Sequence, residues 1–211
     1  MRITKQERLA VWAGLVLLSI GCTYASDGHA DQSEEAEGRA LKGSYGFSLT
    51  QSCVRTPFQT PPVAGFDPVT HALLTDGEVI NSAGLGVLRF LRDGKVVVEE
   101  GFLTELATAA VSAGQTPVSA GTKFVCTGSH AQSAGGKMAL TLSCTVVGTP
   151  PGQTVTLNPL NFEGFVGQDR QSVNLTSAQN EVHTVTISVG GTVVKQRERI
   201  CLQSMKLDKL Q

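Results

Sequence analysis

The chain has 211 residues, a formal net charge of −1 and 41% hydrophobic residues, enough for one compact core but too few for two independent domains. Charged residues make up only 17% and aromatic residues 5%, and the 23 glycines favour short strands and tight turns over long surface helices. Because the charge is near zero and lysine and arginine are not clustered, we expect no nucleic acid partner.

The chain begins with features of an export signal. Three basic residues within positions 2–8 precede the apolar run Leu9–Ile20, which is too short to span a bilayer and typical of a bacterial signal peptide. Two cleavage sites compete. Small residues favour removal of residues 1–25, whereas the run LSIGC ending at Cys22 resembles a lipobox, whose use would remove residues 1–21 and place a lipid anchor on Cys22. We therefore expect a periplasmic protein, an outer-membrane lipoprotein or an extracellular protein.

Residues 26–40 are polar and acidic and lack large apolar groups, so they are predicted to form a flexible tether. Residues 41–211 are predicted to form one domain, in which apolar residues recur with period two. The first strand places Tyr45, Phe47, Leu49 and Cys53 on one face.

Three hairpins follow from turn residues. Asp93-Gly94 and Gly190-Gly191 both suit the positive φ angles of a type I′ turn. A third turn, centred on Gly135, brings Cys126 opposite Cys144 and gives that hairpin one apolar face. Two segments are less regular: 153–165 is interrupted by Pro159, and 103–111 is compatible with a short helix as well as a strand.

Four cysteines remain after cleavage at the soluble site, an even number that predicts two disulfides in an oxidising compartment. If Cys126 pairs with Cys144, then Cys53 pairs with Cys201 and joins the first strand to the last. That pairing aligns Leu49 with Met205, as in a sheet that closes on itself. It also places Lys195, Arg197 and Arg199 on the face of Cys201, so that this face is charged unless a bulge switches it.

About eight strands predict an all-β fold, a single small antiparallel β-barrel of the lipocalin-like type, with a two-sheet sandwich as the alternative. The motif Gly43–Phe47 and the hairpin sequence Gly86–Val96 resemble a pattern of secreted bacterial proteins with lipocalin-like β-barrels. Tyr45 stands where lipocalins usually have tryptophan. The resemblance implies a fold and a compartment, and no particular activity.

The segment 54–71 contains four prolines, so it cannot be a central strand. It is either a stiff connector or a loop over the barrel mouth, in which case Phe58 and Phe66 are candidate ligand-binding residues for an apolar molecule. A metal site formed by His71, Asp67 and Asp76 has no recognised spacing, so we expect no metal and no cofactor.

Three residues are candidates for catalysis. His183 would pair with Glu198 across the Gly190-Gly191 turn, as an acid-base pair in the lumen or as a surface charge pair, and His130 lies near the rim of the cysteine hairpin. No nucleophile motif accompanies them. We therefore expect a non-catalytic exported barrel that binds a small apolar ligand or serves as an envelope interaction module. The alternative is a small-barrel enzyme of the isomerase or cyclase type.

Overall fold

The computed structural model describes residues 41–107, 119–178 and 181–211, so the predicted signal peptide, the lipidation site at Cys22 and the tether lie outside the described residues. Nine β-strands lie within these ranges: β1 Gly43–Arg55, β2 Glu78–Phe90, β3 Lys95–Ala107, β4 Ser119–Gln132, β5 Lys137–Val146, β6 Gln153–Val166, β7 Ser172–Ser177, β8 Val182–Val189 and β9 Thr192–Lys209. None of the helices in this part of the chain is long and apolar enough to cross a membrane.

The strands form one closed antiparallel sheet. Each strand from β1 to β6 pairs with the next, and β9 pairs back with β1. β7 pairs with the second half of β6 and β8 with its first half, and both pair with β9. Because β7 and β8 together occupy one strand position, the barrel has eight positions, and the predicted lipocalin-like up-and-down barrel is confirmed.

Both predicted disulfides are present. Cys53–Cys201 joins β1 to β9, with Leu49 opposite Met205 as predicted. Cys126 lies directly opposite Cys144 across the β4–β5 pair and is bonded to it. Two disulfides in one small domain indicate folding in an oxidising environment.

The predicted turns occur, but one differs in length. Gly190 and Gly191 adopt φ of 55° and 83° and form the two-residue connection between β8 and β9. Asp93 and Gly94 also have positive φ, yet the loop between β2 and β3 has four residues, and Phe90 therefore faces Val96. The longer loop places Leu88, Phe90, Val96 and Val98 together on the buried face.

Bulges in β3 and β6 change which side chains face the lumen. One lies at Glu99 and Glu100, which are both exposed, so Gly101, Leu103 and Glu105 face inward after it. The other contains Asn158 and Pro159 and lies where β6 changes its partner from β8 to β7. Pro159 therefore bends β6 without ending it. The helix considered for 103–111 is wrong as far as 107, where β3 continues, and positions 108–111 lie outside the described residues.

The hydrophobic core fills one end of the barrel, where β1 begins and β9 ends, which we call the closed end. Tyr45, Phe90, Met138 and Phe162 are at most 3% exposed there, and the ring of Tyr45 meets that of Phe90 edge-on at 5.2 Å. The Tyr45 hydroxyl donates a hydrogen bond to the Arg170 carbonyl at 2.9 Å. Burial of Tyr45 raises the pKa of its hydroxyl.

Candidate functional site

The other end of the barrel, where β1 ends and β9 begins, contains a cavity of about 290 Å³, and we call this the open end. Inward-facing side chains such as Leu103, Val155 and Ile187 are only half-buried, so the cavity reaches solvent. Most of its lining is apolar. Its lining includes Phe47, Leu49, Gln51, Phe58, Leu88, Leu103, Glu105, Phe124, Leu142, Leu157, Leu160, Arg197, Arg199 and Met205.

Aromatic rings line the deep part of the cavity. Gly86 and Gly101 face each other across β2 and β3, and the rings of Phe47 and Phe124 occupy the space that their side chains would need. A Cβ atom at Gly101 would overlap the Phe124 ring, and one at Gly86 would lie 2.7 Å from the Phe47 ring. The two glycines therefore leave room for both rings inside the barrel.

A charged cluster forms one wall near the mouth. Arg55 Nη1 lies 2.7 Å from Glu105 Oε2, and Arg55 Nε lies 2.7 Å from Glu78 Oε1 at the rim. Arg199 Nη1 is 3.8 Å from the other Glu105 oxygen. Arg197 lies two residues along β9 from Arg199, so both arginines face the lumen, as the parity with Cys201 indicated.

The arginines of this wall are strongly desolvated. Arg199 is 4% exposed, and its burial lowers the pKa of the guanidinium to about 10. Burial also lowers the pKa of Arg197, with a smaller contribution from the charge of Arg55. The Nε atoms of Arg197 and Arg199 and the Nε2 atom of Gln51 are buried without a hydrogen-bond partner. The wall therefore places the side chains of Arg197, Arg199 and Gln51 beside an otherwise apolar cavity.

The proline-rich segment follows β1 along the edge of the mouth. Phe58 lies under the guanidinium of Arg197, 4.4 Å from ring centroid to Cζ, and lines the cavity. Phe66 is buried but is not among the residues that line the cavity. Its backbone N–H and that of Gly65 donate to Glu198 Oε2 at 3.0 and 2.8 Å. Glu198 thus anchors the segment to β9.

The predicted pairing of His183 with Glu198 is wrong. A bulge near Val194 shifts the register by one residue, so His183 faces Arg199, and Thr184 faces Glu198. Alternation along the strand then puts the side chains of His183 and Glu198 on opposite faces of the sheet. Burial, with a smaller effect of the Arg199 charge, lowers the pKa of His183 to about 4.

His130 lies at the closed end, where its ring meets the Phe90 ring at 4.8 Å, and burial lowers its pKa. None of the three catalytic candidates is among the residues lining the cavity. The structure therefore does not bring together the one acid-base pair that the sequence suggested, His183 and Glu198.

The Asp67 carboxylate makes hydrogen bonds within its own loop. Its Oδ1 accepts hydrogen bonds from the N–H groups of Val69 and Thr70 and from the Thr70 hydroxyl. The backbone and hydroxyl of Thr70 are the main causes of its lowered pKa. Within the described ranges, no group of three or more histidine, cysteine or acidic residues is placed to hold a metal ion.

Sequence reasoning missed three residues of the charged wall, Arg55, Glu78 and Glu105. Glu105 faces inward only because the bulge at Glu99 and Glu100 reverses the alternation of β3. Arg55 has the same parity as Cys53 and could have been found, but it was assigned to the proline-rich connector. The consecutive residues Glu99 and Glu100 were the available signal. On a regular strand one of the two side chains would face the lumen, so both can face water only where the strand has a bulge.

The chain matches no family model, and no similar curated protein or solved structure is found at a significant level.

Proposed function

We propose that this protein binds a small, mainly apolar molecule inside the open end of its barrel. The observation that carries the proposal is the solvent-accessible cavity of about 290 Å³ lined mostly by hydrophobic side chains. Concave apolar sites with a few polar groups are the usual form of small-molecule sites in proteins. The lumen could instead have been filled by side chains, as it is at the closed end.

The size of the cavity limits the ligand. Its volume equals that of roughly ten water molecules in the liquid, at about 30 Å³ each. A ligand with about ten to fifteen non-hydrogen atoms therefore suits it, with part of the molecule at the mouth. Burial of such a molecule against Leu88, Leu160 and Met205 would remove apolar surface from water at about 25 cal/mol per Å².

We also propose that the protein is exported, either as a soluble periplasmic or extracellular form or as an outer-membrane lipoprotein anchored through Cys22. The disulfides and the sequence of the first 25 residues support this proposal. The intact mass of protein recovered from a bacterial envelope decides between the forms: cleavage after Ala25 gives an unmodified polypeptide, and a lipoprotein begins at a lipidated Cys22. An unprocessed chain retained in the cytoplasm would contradict export.

The binding function is tested with 1-aminoanthracene, a neutral apolar dye, added to protein produced from the full-length gene. We expect dye fluorescence to rise on binding and to be reversed by decan-1-ol. Leu157→Trp places a larger side chain in the cavity and should abolish both effects, because the added ring occupies ligand volume. Leu85→Trp is the matched control, because Leu85 is 61% exposed on the outer face of β2. Binding that is absent in the wild type, or equal in both variants, would contradict the proposal.

A further inference from the structure

The charges at the mouth of the cavity do not balance. Three guanidinium groups, those of Arg55, Arg197 and Arg199, meet two carboxylates, those of Glu105 and Glu78. One positive charge is left within this cluster, and His183, the cross-strand neighbour of Arg199, is neutral at pH 7. Buried charges in proteins are normally paired, so an arginine cluster with an excess charge favours an anionic partner.

Unpartnered hydrogen-bond donors indicate that the excess positive charge lies on Arg197 and Arg199. The Nε atoms of Arg197 and Arg199 and the Nε2 atom of Gln51 are buried and unpartnered, and all three residues line the cavity. Glu105 directs both of its oxygens at Arg55 and Arg199 and makes no ion pair with Arg197. The Arg197 guanidinium stacks over the Phe58 ring. The Nε donors of the two arginines therefore have no acceptor among the described residues, whereas the Gln51 amide is bonded through its Oε1 to Gln203 Nε2 at 2.8 Å.

We propose that the ligand of this cavity is an amphipathic monocarboxylate, whose carboxylate is bound by Arg197 and Arg199 and whose apolar chain lies in the lumen. This inference rests on the proposed function and names the chemical class of its ligand. A single negative charge matches the single excess positive charge. A carboxylate also matches the planar donor geometry of guanidinium groups.

The orientation follows from the position of each lining residue along its strand. Arg197 and Arg199 lie near the start of β9, whereas Met205 lies six residues after Arg199, deeper in the barrel. Leu49, paired with Met205, and Leu88 continue this apolar part of the lining. The carboxylate therefore lies at the mouth and the chain points toward the closed end. A saturated ten-carbon acid has the required size.

The test compares decanoate with decan-1-ol, which has the same chain and no charge, by displacement of 1-aminoanthracene from the wild-type protein at pH 7. We expect decanoate to bind about 10- to 100-fold more tightly, the range expected for charge-assisted hydrogen bonds to a buried group. Decyl phosphate carries nearly two negative charges at this pH. It should bind more weakly than decanoate.

Substitutions test whether Arg197 and Arg199 bind the carboxylate. Arg197→Gln and Arg199→Gln should each weaken decanoate binding at least about tenfold and weaken decan-1-ol binding by a smaller factor, and the far-ultraviolet circular dichroism spectrum of each variant shows whether it is folded. The matched control is Arg89→Gln, because Arg89 pairs with Glu99 on the outer surface and its side chain is 47% exposed. It should change neither ligand.

The outcomes separate the two proposals. Equal affinity of the wild type for decanoate and decan-1-ol overturns the carboxylate site and leaves the apolar cavity function standing. Tighter binding of decyl phosphate than of decanoate overturns the monocarboxylate assignment. Binding of neither chain nor dye overturns the cavity function itself.

Discussion

The two ends of the barrel are built from the same alternating strands but differ in what fills them. At the closed end, large side chains such as Phe162 and Met138 occupy the lumen and are almost fully buried. At the open end, the inward positions of β9 carry Arg197 and Arg199, and the lumen there is a cavity. Both disulfides lie toward the open end: Cys126 and Cys144 line the cavity, and Cys53 lies near the end of β1.

This contrast shows how one short chain combines stability with a hollow site. The closed end gains free energy from close packing, which the open end cannot do while keeping a cavity. Covalent links between strands reduce the entropy of the unfolded chain instead, and they need no filled interior. We infer that packing stabilises one end and cross-links the other.

The disulfide between the first and last strands should contribute more than the disulfide of the hairpin. The separations of 148 and 18 residues give about 5 and about 3 kcal/mol from the chain-entropy relation. Replacing Cys53 and Cys201 together by alanine should therefore lower the free energy of unfolding more than replacing Cys126 and Cys144. Urea titrations of both double variants measure the difference, and a larger loss from the hairpin variant would contradict it.

Replacement of leucine by alanine should lower the free energy of unfolding by different amounts at the two ends. Leu140 is 1% exposed at the closed end, whereas Leu157 is half-buried beside the cavity. Leu140→Ala should lower the free energy of unfolding by about 4 kcal/mol, and Leu157→Ala by about 1 to 2, because fewer packing contacts are lost where a void already exists. Equal losses in urea titrations would show that the open end is packed as tightly as the closed end.

His183 should make the protein less stable in acid. Its pKa is about 4 in the folded protein and about 6.5 in the unfolded chain, so between these values the unfolded chain binds one more proton. Stability from this group is complete above pH 6.5, falls as the pH falls, and is reduced by about 3 kcal/mol below pH 4. Arg199 and Glu181 are the charged groups that act on it.

His183→Gln provides the comparison for this effect, because glutamine does not titrate. The difference in free energy of unfolding between wild type and variant should change by about 3 kcal/mol between pH 7 and pH 4. Carboxylates titrate in both proteins and largely cancel in the difference. A difference that does not depend on pH would show that His183 is not held neutral by burial.

The contact that anchors the proline-rich segment should have the smallest effect. Glu198→Gln keeps an acceptor for Gly65 and Phe66 but removes its charge, so the free energy of unfolding should fall by about 1 to 2 kcal/mol. Glu163→Gln is the control, because Glu163 forms an exposed ion pair with Lys137 and should cost less than about 1 kcal/mol. Proteolysis within residues 56–77, the connection from β1 to β2 that contains the proline-rich segment, should accelerate only in the Glu198 variant.

The sequence predicted the closure of the barrel because cysteine positions and strand alternation lead to the same register. Cys53 opposite Cys201 and Cys126 opposite Cys144 each fix a pair of strands. The charged wall was predicted only in part. Parity placed Arg197 and Arg199 on the face of Cys201, but Glu105 depends on a bulge in β3, and the neighbour of His183 depends on another in β9. A bulge of one residue reverses a face without changing composition, so alternation alone cannot reveal it.

The methionine methyl groups report separately on the two ends of the barrel, the filled end and the end that we propose binds a ligand. The chain has three methionines: Met1 in the predicted signal, Met138 buried at the closed end and Met205 lining the cavity. In ¹³C-methyl-methionine NMR spectra of the exported protein, decanoate should shift the Met205 signal and leave the Met138 signal in place. Equal shifts of both signals, or no shift of either, would contradict the claim that one end is filled and the other binds a ligand.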